Sequence, residues 1–141
     1  MWFQKKILLK NRKRGIHLVT NDIASQLSEI SGIGIGLCHL LLQHTSAGLT
    51  LNENADPSVR ADLNVYLDRL APENTPYFTH TLEGADDMPA HIKSALVGSS
   101  LTIPLTRGRF NLGTWQGIYL CEFRDWGGDR TVVATIHGEA L

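Results

Sequence analysis

The sequence has little charge, few cysteines and no long apolar run, and each shortage excludes a class of protein. Only 19% of the 141 residues are charged and the formal net charge is −1, so no overall field would attract nucleic acid or anionic lipid. The longest apolar stretch, GIGIGLCHLLL, is far shorter than the roughly 20 residues that a membrane-spanning helix needs. The opening MWFQKKILLK lacks the apolar core and the cleavage site of a signal peptide. We therefore expect a cytoplasmic protein that binds neither nucleic acid nor membrane.

The sequence motifs of several enzyme classes are also absent. There is no GxGxxG, no P-loop and no GxSxG elbow, and neither cysteine belongs to a CxxC pair. Cys38 and Cys121 both lie inside apolar runs, which favours buried, reduced thiols over a disulfide. What is present is 43% hydrophobic residues, enough to fill the core of one domain spanning residues 1–141.

Hydrophobic periodicity predicts an α+β fold with a mostly antiparallel sheet of about six strands and two or three helices. The clearest helix lies in DPSVRADLNVYLDRL, where Asp56 can cap it and Pro57 suits its first turn. Another helix is predicted over residues 20–30. The stretch IGLCHLLLQHT is apolar on both faces, which is typical of a central strand buried on two sides. Residues 71–86 form a long polar loop, and such loops are usually functional.

The first of three polar clusters follows the central strand. Its members are an imidazole, hydroxyls, amides and a carboxylate within a dozen residues: His44, Thr45, Ser46, Asn52, Glu53 and Asn54. Turn formation, together with capping by Asp56, accounts for part of this polarity. The polar side chains that turns and the cap do not explain predict that the segment forms one wall of a polar pocket.

The second cluster lies in YFTHTLEGADDMPAHIKSALVG. His80 and His91 stand on either side of Glu83, Asp86 and Asp87. Imidazole nitrogens and carboxylate oxygens are suitable ligands for a divalent metal, although the spacing matches no zinc motif. The bland alternative is that the two aspartates cap a short helix and that His91 faces the core.

The third cluster surrounds the strand TWQGIYLCEFR. Glu122 lies among apolar neighbours, Arg124 follows two residues later, and Arg130 comes after a Gly127-Gly128 turn. A surface ion pair is one interpretation of this pattern. The other is a partly buried carboxylate that serves as a metal ligand or as an acid/base group, with arginines that could bind phosphate.

Three segments together closely resemble the YjbQ family, also called UPF0047 or the secondary thiamine-phosphate synthase family: QHTSAGLTLNENADPSVRADL, EGADDMPAHIKSALVGSSLTIPL and GRFNLGTWQGIYLCEFRD. With the opening strand, the resemblance covers essentially the whole chain in order. It implies a compact α+β fold that assembles as a homotrimer, with sites near the subunit interfaces. The last hairpin, RDWGGDR, departs from the family pattern because it has fewer arginines, so a phosphate-binding role there rests on Arg124 and Arg130.

The resemblance also implies an activity. A thiamine-phosphate synthase is a transferase that couples hydroxymethylpyrimidine pyrophosphate to thiazole phosphate, here as a weak secondary reaction. A divalent metal, Zn²⁺ or Mg²⁺, would stabilise the departing pyrophosphate, and its implied ligands are His44, His80 and His91. The implied catalytic residues are His44, Glu53, His91 and Glu122. The implied substrate-binding residues are Thr45, Ser46, Asn52, Asn54, Lys93, Arg124 and Arg130.

Two alternatives to this activity stay open. The first is a metal-dependent hydrolase or lyase of another phosphorylated small molecule. The second is a trimer that binds a small molecule without catalysis.

Overall fold

The computed structural model describes all 141 residues as eight strands and three α-helices, with a short 3₁₀ helix at Ser28–Gly32. Every strand pair is antiparallel. The predicted α+β class is therefore confirmed. In chain order the elements are β1 (Trp2–Leu9), β2 (Gly15–Leu18), α1 (Thr20–Ala24), β3 (Ile33–Leu42), β4 (Ala47–Glu53), α2 (Pro57–Leu70), α3 (Asp87–Val97), β5 (Ser100–Thr106), β6 (Arg109–Phe110), β7 (Gln116–Glu122) and β8 (Arg130–Ala140).

The strands divide between two sheets, a five-stranded one in the order β1-β8-β3-β5-β6 and a three-stranded one in the order β2-β7-β4. One sheet of about six strands was expected, and the two additional strands are β4, in a segment for which no strand was predicted, and the two-residue β6. The predicted helix over residues 20–30 is shorter than expected. It consists of α1 followed by the 3₁₀ helix, since the chain must turn before it enters β3.

The molecule has three layers, and β7 shows how the sequence produces them. Its side chains alternate, as those of any strand do. Ile118 and Leu120 join the main core between the two sheets, whereas Tyr119 and Cys121 join a smaller apolar cluster on the opposite face. Helices α2 and α3 cover that opposite face. The small sheet therefore lies between the large sheet and the helices, with its middle strand buried on both sides.

Helix α2 is only partly buried and is capped by a side chain. The Asp56 side chain accepts a hydrogen bond from the Ser58 amide at 2.9 Å, so the predicted cap of α2 is confirmed. No residue of α2 is fully buried, and Tyr66 and Leu70 of its apolar stripe are exposed. No helix in the structure has both the length and the apolar character needed to cross a membrane.

Strand β3 differs from its prediction in a way that matters for assembly. Its inward side chains are buried as expected, but Ile35, Leu37 and Leu41 on the other face are 71%, 51% and 40% exposed. The prediction of burial on both faces is therefore wrong for the single chain. The physical reason is that nothing in the chain packs against the outer face of the large sheet.

The two thiols provide a test of this core. Cys38 and Cys121 are free and buried, as predicted, and burial raises the pKa of Cys38 to about 11 and that of Cys121 to about 12. Because the thiolate is the reactive form, the folded protein should not react with a disulfide reagent at pH 8 over several minutes. After unfolding in urea, both thiols should react at once. Rapid reaction of either thiol in the folded protein would contradict this packing.

Candidate metal centre

Two of the predicted histidines meet at one carboxylate. The long loop before α3 delivers His80, and the first turns of α3 place Asp87 and His91 four residues apart on one face. The Oδ2 atom of Asp87 lies 2.7 Å from Nε2 of His80 and 3.1 Å from Nε2 of His91. One ligand atom from each of the three side chains lies within 4.8 Å of the other two. We call these three residues the histidine–aspartate cluster.

The cluster lies where the interior meets solvent. The side chain of Asp87 is 2% exposed, whereas those of His80 and His91 are 46% and 31% exposed. Cavities lie on both sides, one of about 130 Å³ bordered by His80 and one of about 340 Å³ bordered by His91. A fixed carboxylate thus forms the floor of the cluster, and the imidazoles form its accessible rim.

The second oxygen of Asp87 is held by Arg124. The Nη1 atom of Arg124 donates to Oδ1 of Asp87 at 2.8 Å, its Nε donates to Asp86 at 3.0 Å, and its Nη2 donates to the Glu83 carbonyl at 2.8 Å. Arg124 was expected to bind substrate phosphate. Each nitrogen of its guanidinium has a partner within the chain, so the structure gives Arg124 a role in holding Asp87, and its binding of substrate stays a prediction.

The charge state of Asp87 follows from these contacts. Burial acts to raise the pKa of its carboxyl, but the hydrogen bond from His80 and the charges of His91 and Arg124 outweigh that effect. The net result is a pKa below the ordinary value, so the carboxylate is ionised at neutral pH. A buried, ionised carboxylate that touches two imidazole nitrogens is a strong attractor of positive charge.

His91 is oriented by a second contact. Its Nδ1 lies 2.9 Å from the carbonyl oxygen of Thr45, which can only accept a hydrogen bond. The Nδ1–H group therefore donates to Thr45, and Nε2 is directed at the Asp87 carboxylate, which is also an acceptor. A neutral imidazole has only one N–H, so both contacts are satisfied at once only by a second ring proton or by a cation at Nε2. Anchoring of one ring nitrogen on a backbone carbonyl is usual for histidines that bind metals.

His44, the third predicted metal ligand, lies outside the cluster. Its Nε2 accepts a hydrogen bond from the Thr131 amide at 2.8 Å, so this nitrogen is used to join the end of β3 to β8. Burial, followed by the nearby charge of Arg130, lowers the pKa of His44. The structure thus groups His80 and His91 with Asp87, and not with His44. The spacing of Asp87 and His91 on one helix was the signal in the sequence that could have identified the aspartate.

Glu122 and Arg130 pair with each other in the interior. Nε and Nη2 of Arg130 donate to the two oxygens of Glu122 at 2.7 and 2.6 Å, and Nη2 also donates to the Ser46 hydroxyl at 3.0 Å. The side chain of Arg130 is 5% exposed and that of Glu122 is 1% exposed. The expected catalytic role of Glu122 and the substrate-binding roles of Arg130 and Ser46 therefore need correction, since these groups satisfy one another.

Lys93 is also committed to the fold. Its ammonium group donates to Asp68 on α2 at 2.7 Å and lies 5.1 Å from the centre of the Phe123 ring. The residue is 1% exposed, so it cannot contact a phosphate in solvent as expected. Its function in the structure is to join α3 to α2.

The amides and the carboxylate at the C-terminal end of β4 lie far from the cluster. Thr45 precedes β4 and contacts His91 through its backbone, but Asn52, Glu53 and Asn54 lie at the other end of that strand. The 7 residues of β4 span roughly 20 Å. Asn54 instead donates to the carbonyls of Thr114 and Gln116, at the start of β7, and borders a separate cavity. The prediction that residues 44–54 form one wall of a single pocket is therefore wrong.

Comparisons with known proteins agree with this fold. The family model described as "UPF0047 protein YjbQ-like" matches residues 5–139. The UPF0047 protein YjbQ of Escherichia coli is 54% identical over 99% of this chain and 100% of its own length. A UPF0047 protein of Synechocystis is 40% identical over 96% of this chain and 92% of its own. The crystal structure of a hypothetical protein from Aeropyrum pernix superposes with a TM-score of 0.84 at 30% identity, covering 97% of this chain and 99% of that one.

None of these relatives is named for the activity that the resemblance implied. They are named only as UPF0047 proteins, and a solved structure from Sulfolobus solfataricus, with a TM-score of 0.84 and 24% identity, is described as a YbjQ-like protein of unknown function. The prediction of thiamine-phosphate synthase activity is therefore wrong, and these relatives give no support for a transferase. The structure supplies a physical reason: the cations expected to hold the phosphates, Lys93, Arg124 and Arg130, are all engaged in internal ion pairs.

The buried pair beside the cluster generates a stability prediction. Replacing Arg130 with Met leaves the Glu122 carboxylate buried without its partner, so the free energy of unfolding should fall by about 3–5 kcal/mol. The matched control is Lys5→Met, which removes a surface pair with Glu29 at 3.6 Å and should cost less than about 1 kcal/mol. Urea unfolding followed by tryptophan fluorescence measures both variants. Equal effects of the two changes would show that the pair has no special structural role.

Proposed function

The chain belongs to the UPF0047 YjbQ-like family, and we propose that it is a metal-dependent protein in which His80, Asp87 and His91 hold one divalent transition-metal ion. The observation that carries this proposal is the position of His91 between two acceptors, the Thr45 carbonyl and the Asp87 carboxylate. A metal ion bound to Nε2 would satisfy that nitrogen while the imidazole stays neutral and the carboxylate stays ionised.

The chemistry of the donors narrows the choice of metal. Mg²⁺ prefers an octahedral shell of oxygens and retains several waters, whereas two imidazoles and one carboxylate suit zinc and its neighbours in the first transition row. Of the two metals named from the sequence, the cluster therefore favours Zn²⁺. The Asp87 carboxylate would supply oxygen, and His80 and His91 would each supply Nε2.

The number of ligands favours catalysis over a structural role. Structural zinc sites are closed by four protein ligands, whereas catalytic sites use three and leave a position open. The histidine–aspartate cluster offers three ligands, and its imidazoles face solvent. A divalent ion with an open position supplies Lewis-acid activation of a substrate oxygen or of water. We therefore infer an active site for small-molecule chemistry of the hydrolytic type.

The other residues of the site have supporting roles. Arg124 fixes Asp87 through Oδ1, which leaves Oδ2 for the metal, and the Thr45 carbonyl fixes the tautomer of His91. Arg124 also ties the loop that carries His80 to the end of β7 through Glu83 and Asp86. These partners orient the ligands without taking up the open position.

We also propose that three copies of the chain assemble, as the resemblance implies. Support comes from the outer face of the large sheet, where Ile35, Leu37 and Leu41 form an exposed apolar row on β3. Soluble proteins rarely leave such a row uncovered unless it forms an interface. The two buried free thiols support a reducing compartment, and the cytoplasm is the location we propose.

Metal analysis tests the proposed centre. Protein purified without a chelator should contain close to one equivalent of metal per chain, and His91→Ala and Asp87→Asn should each lose it because each removes one of only three ligands. His17→Ala is the matched control, since His17 contacts only the Lys13 carbonyl outside the cluster. Elemental analysis by mass spectrometry gives the content, and urea unfolding verifies that the variants are folded. Wild-type protein that takes up no Zn²⁺ even after dialysis against it would refute the proposal.

Light scattering tests the assembly. Wild-type protein should have three times the chain mass of 15.6 kDa, and Leu37→Glu should reduce that mass by placing a charge in the apolar row. Tyr66→Glu on α2 alters a side chain of similar exposure away from the sheet and should leave the mass unchanged. A monomeric wild type, or a Leu37→Glu variant with the wild-type mass, would exclude this interface.

A further inference from the structure

We propose that His44 is a neutral hydrogen-bond donor that binds an oxyanion beside the metal, with Nδ1–H as the donating group. The inference rests on the metal centre proposed above and assigns the class of ligand to it. His44 thereby receives a function different from the metal ligation expected from the sequence. It acts as a positioning residue, because its proton stays on the ring.

The tautomer of His44 is fixed by the backbone. The Thr131 amide donates to Nε2 at 2.8 Å, so Nε2 must carry a lone pair and the proton of the neutral ring must lie on Nδ1. Burial and the charge of Arg130 lower the pKa of the ring, which favours this neutral form at pH 7. The Nδ1 atom has no partner within the chain and is not among the buried unpaired atoms, so it faces open space.

His44 borders the cavity beside the proposed metal centre. His44 and His91 both border the same cavity of about 340 Å³, together with Thr45, Ser94 and Ser99. This volume is at the lower end of the range for ligand sites, which is roughly 300–1,000 Å³. The Nδ1–H group of His44 is therefore presented to the molecule that would share the cavity with the metal-bearing ring of His91.

The chemistry of the cavity favours a bound molecule that can accept a hydrogen bond. A neutral imidazole with one N–H can donate to an oxygen but carries no charge that would need a counter-ion. The charge of the oxyanion would instead be met by the metal on His91, since Lys93, Arg124 and Arg130 are committed elsewhere. A ligand with one oxygen for the metal and a second oxygen for His44 fits both groups. Carboxylates are the simplest molecules of this class.

Two substitutions of His44 test its Nδ1–H donor separately from its contact with the Thr131 amide. The carboxamide of Gln reaches about as far as Nε2 of histidine, so His44→Gln keeps an acceptor for the Thr131 amide and removes the donor at the Nδ1 position. The carboxamide of Asn ends near the Nδ1 position, so His44→Asn keeps a donor for the ligand and loses the acceptor for Thr131. A purely structural role and a ligand-binding role of His44 therefore predict opposite results for this pair.

The experiment loads the full chain with Co²⁺, whose visible spectrum responds to changes in its ligands, and titrates it with acetate. His44→Gln should weaken acetate binding about tenfold or more, the effect of losing a hydrogen bond to a charged group, with Co²⁺ affinity and urea midpoint unchanged. His44→Asn should bind acetate within about threefold of wild type but unfold at lower urea concentration.

Each contrary outcome has a distinct meaning. Failure of the wild type to bind Co²⁺ would overturn the metal centre and this inference with it. Binding of Co²⁺ without any spectral response to acetate, or equal acetate affinity in wild type and His44→Gln, would overturn the inference alone. So would a loss of acetate binding in His44→Asn that His44→Gln does not share.

Discussion

The site depends on one buried carboxylate whose two oxygens serve different partners. Oδ1 of Asp87 is held by Arg124, and Oδ2 contacts both His80 and His91. An ionised carboxylate that is 2% exposed is stable only because cations or N–H donors satisfy both oxygens. The contact brings together the loop before α3, the first turns of α3 and the end of β7, which are far apart in the sequence. Asp87 is thus both the centre of the local fold and the proposed oxygen ligand.

A second buried pair builds the frame around that carboxylate. Arg130 begins β8 in the large sheet and Glu122 ends β7 in the small one, so their bidentate contact joins the two sheets at the end of the molecule that carries the site. The connecting turn passes so close that a Cβ on Gly127 would lie 2.5 Å from Oε1 of Glu122 and 2.6 Å from Nη2 of Arg130. Only glycine fits there without displacing the pair. A rigid frame of this kind keeps the metal-binding side chains in position before the metal arrives.

The sequence predicted most elements of the fold, and two members of the histidine–aspartate cluster, because those depend on local pattern. A continuous apolar run identified β3, and the loop and helix of the second cluster contain His80 and His91. Partners distant in the chain could not be read in this way. Lys93, Arg124 and Arg130 look like surface phosphate ligands until the fold places carboxylates beside them. The same limit explains Asn52 and Glu53: only the formation of β4 reveals that they lie a strand's length away from His44.

In the proposed centre, two imidazoles and the Asp87 carboxylate surround the metal, and not three imidazoles. X-ray absorption at the zinc edge of protein loaded with one equivalent of Zn²⁺ tests it directly, since imidazole rings give distinctive multiple scattering. We expect scattering from two imidazoles, with nitrogen and oxygen ligands at roughly 2.0–2.2 Å from the zinc. The spectrum of His44→Gln should be unchanged. Three imidazoles around the metal, or a spectrum that changes when His44 is replaced, would contradict it.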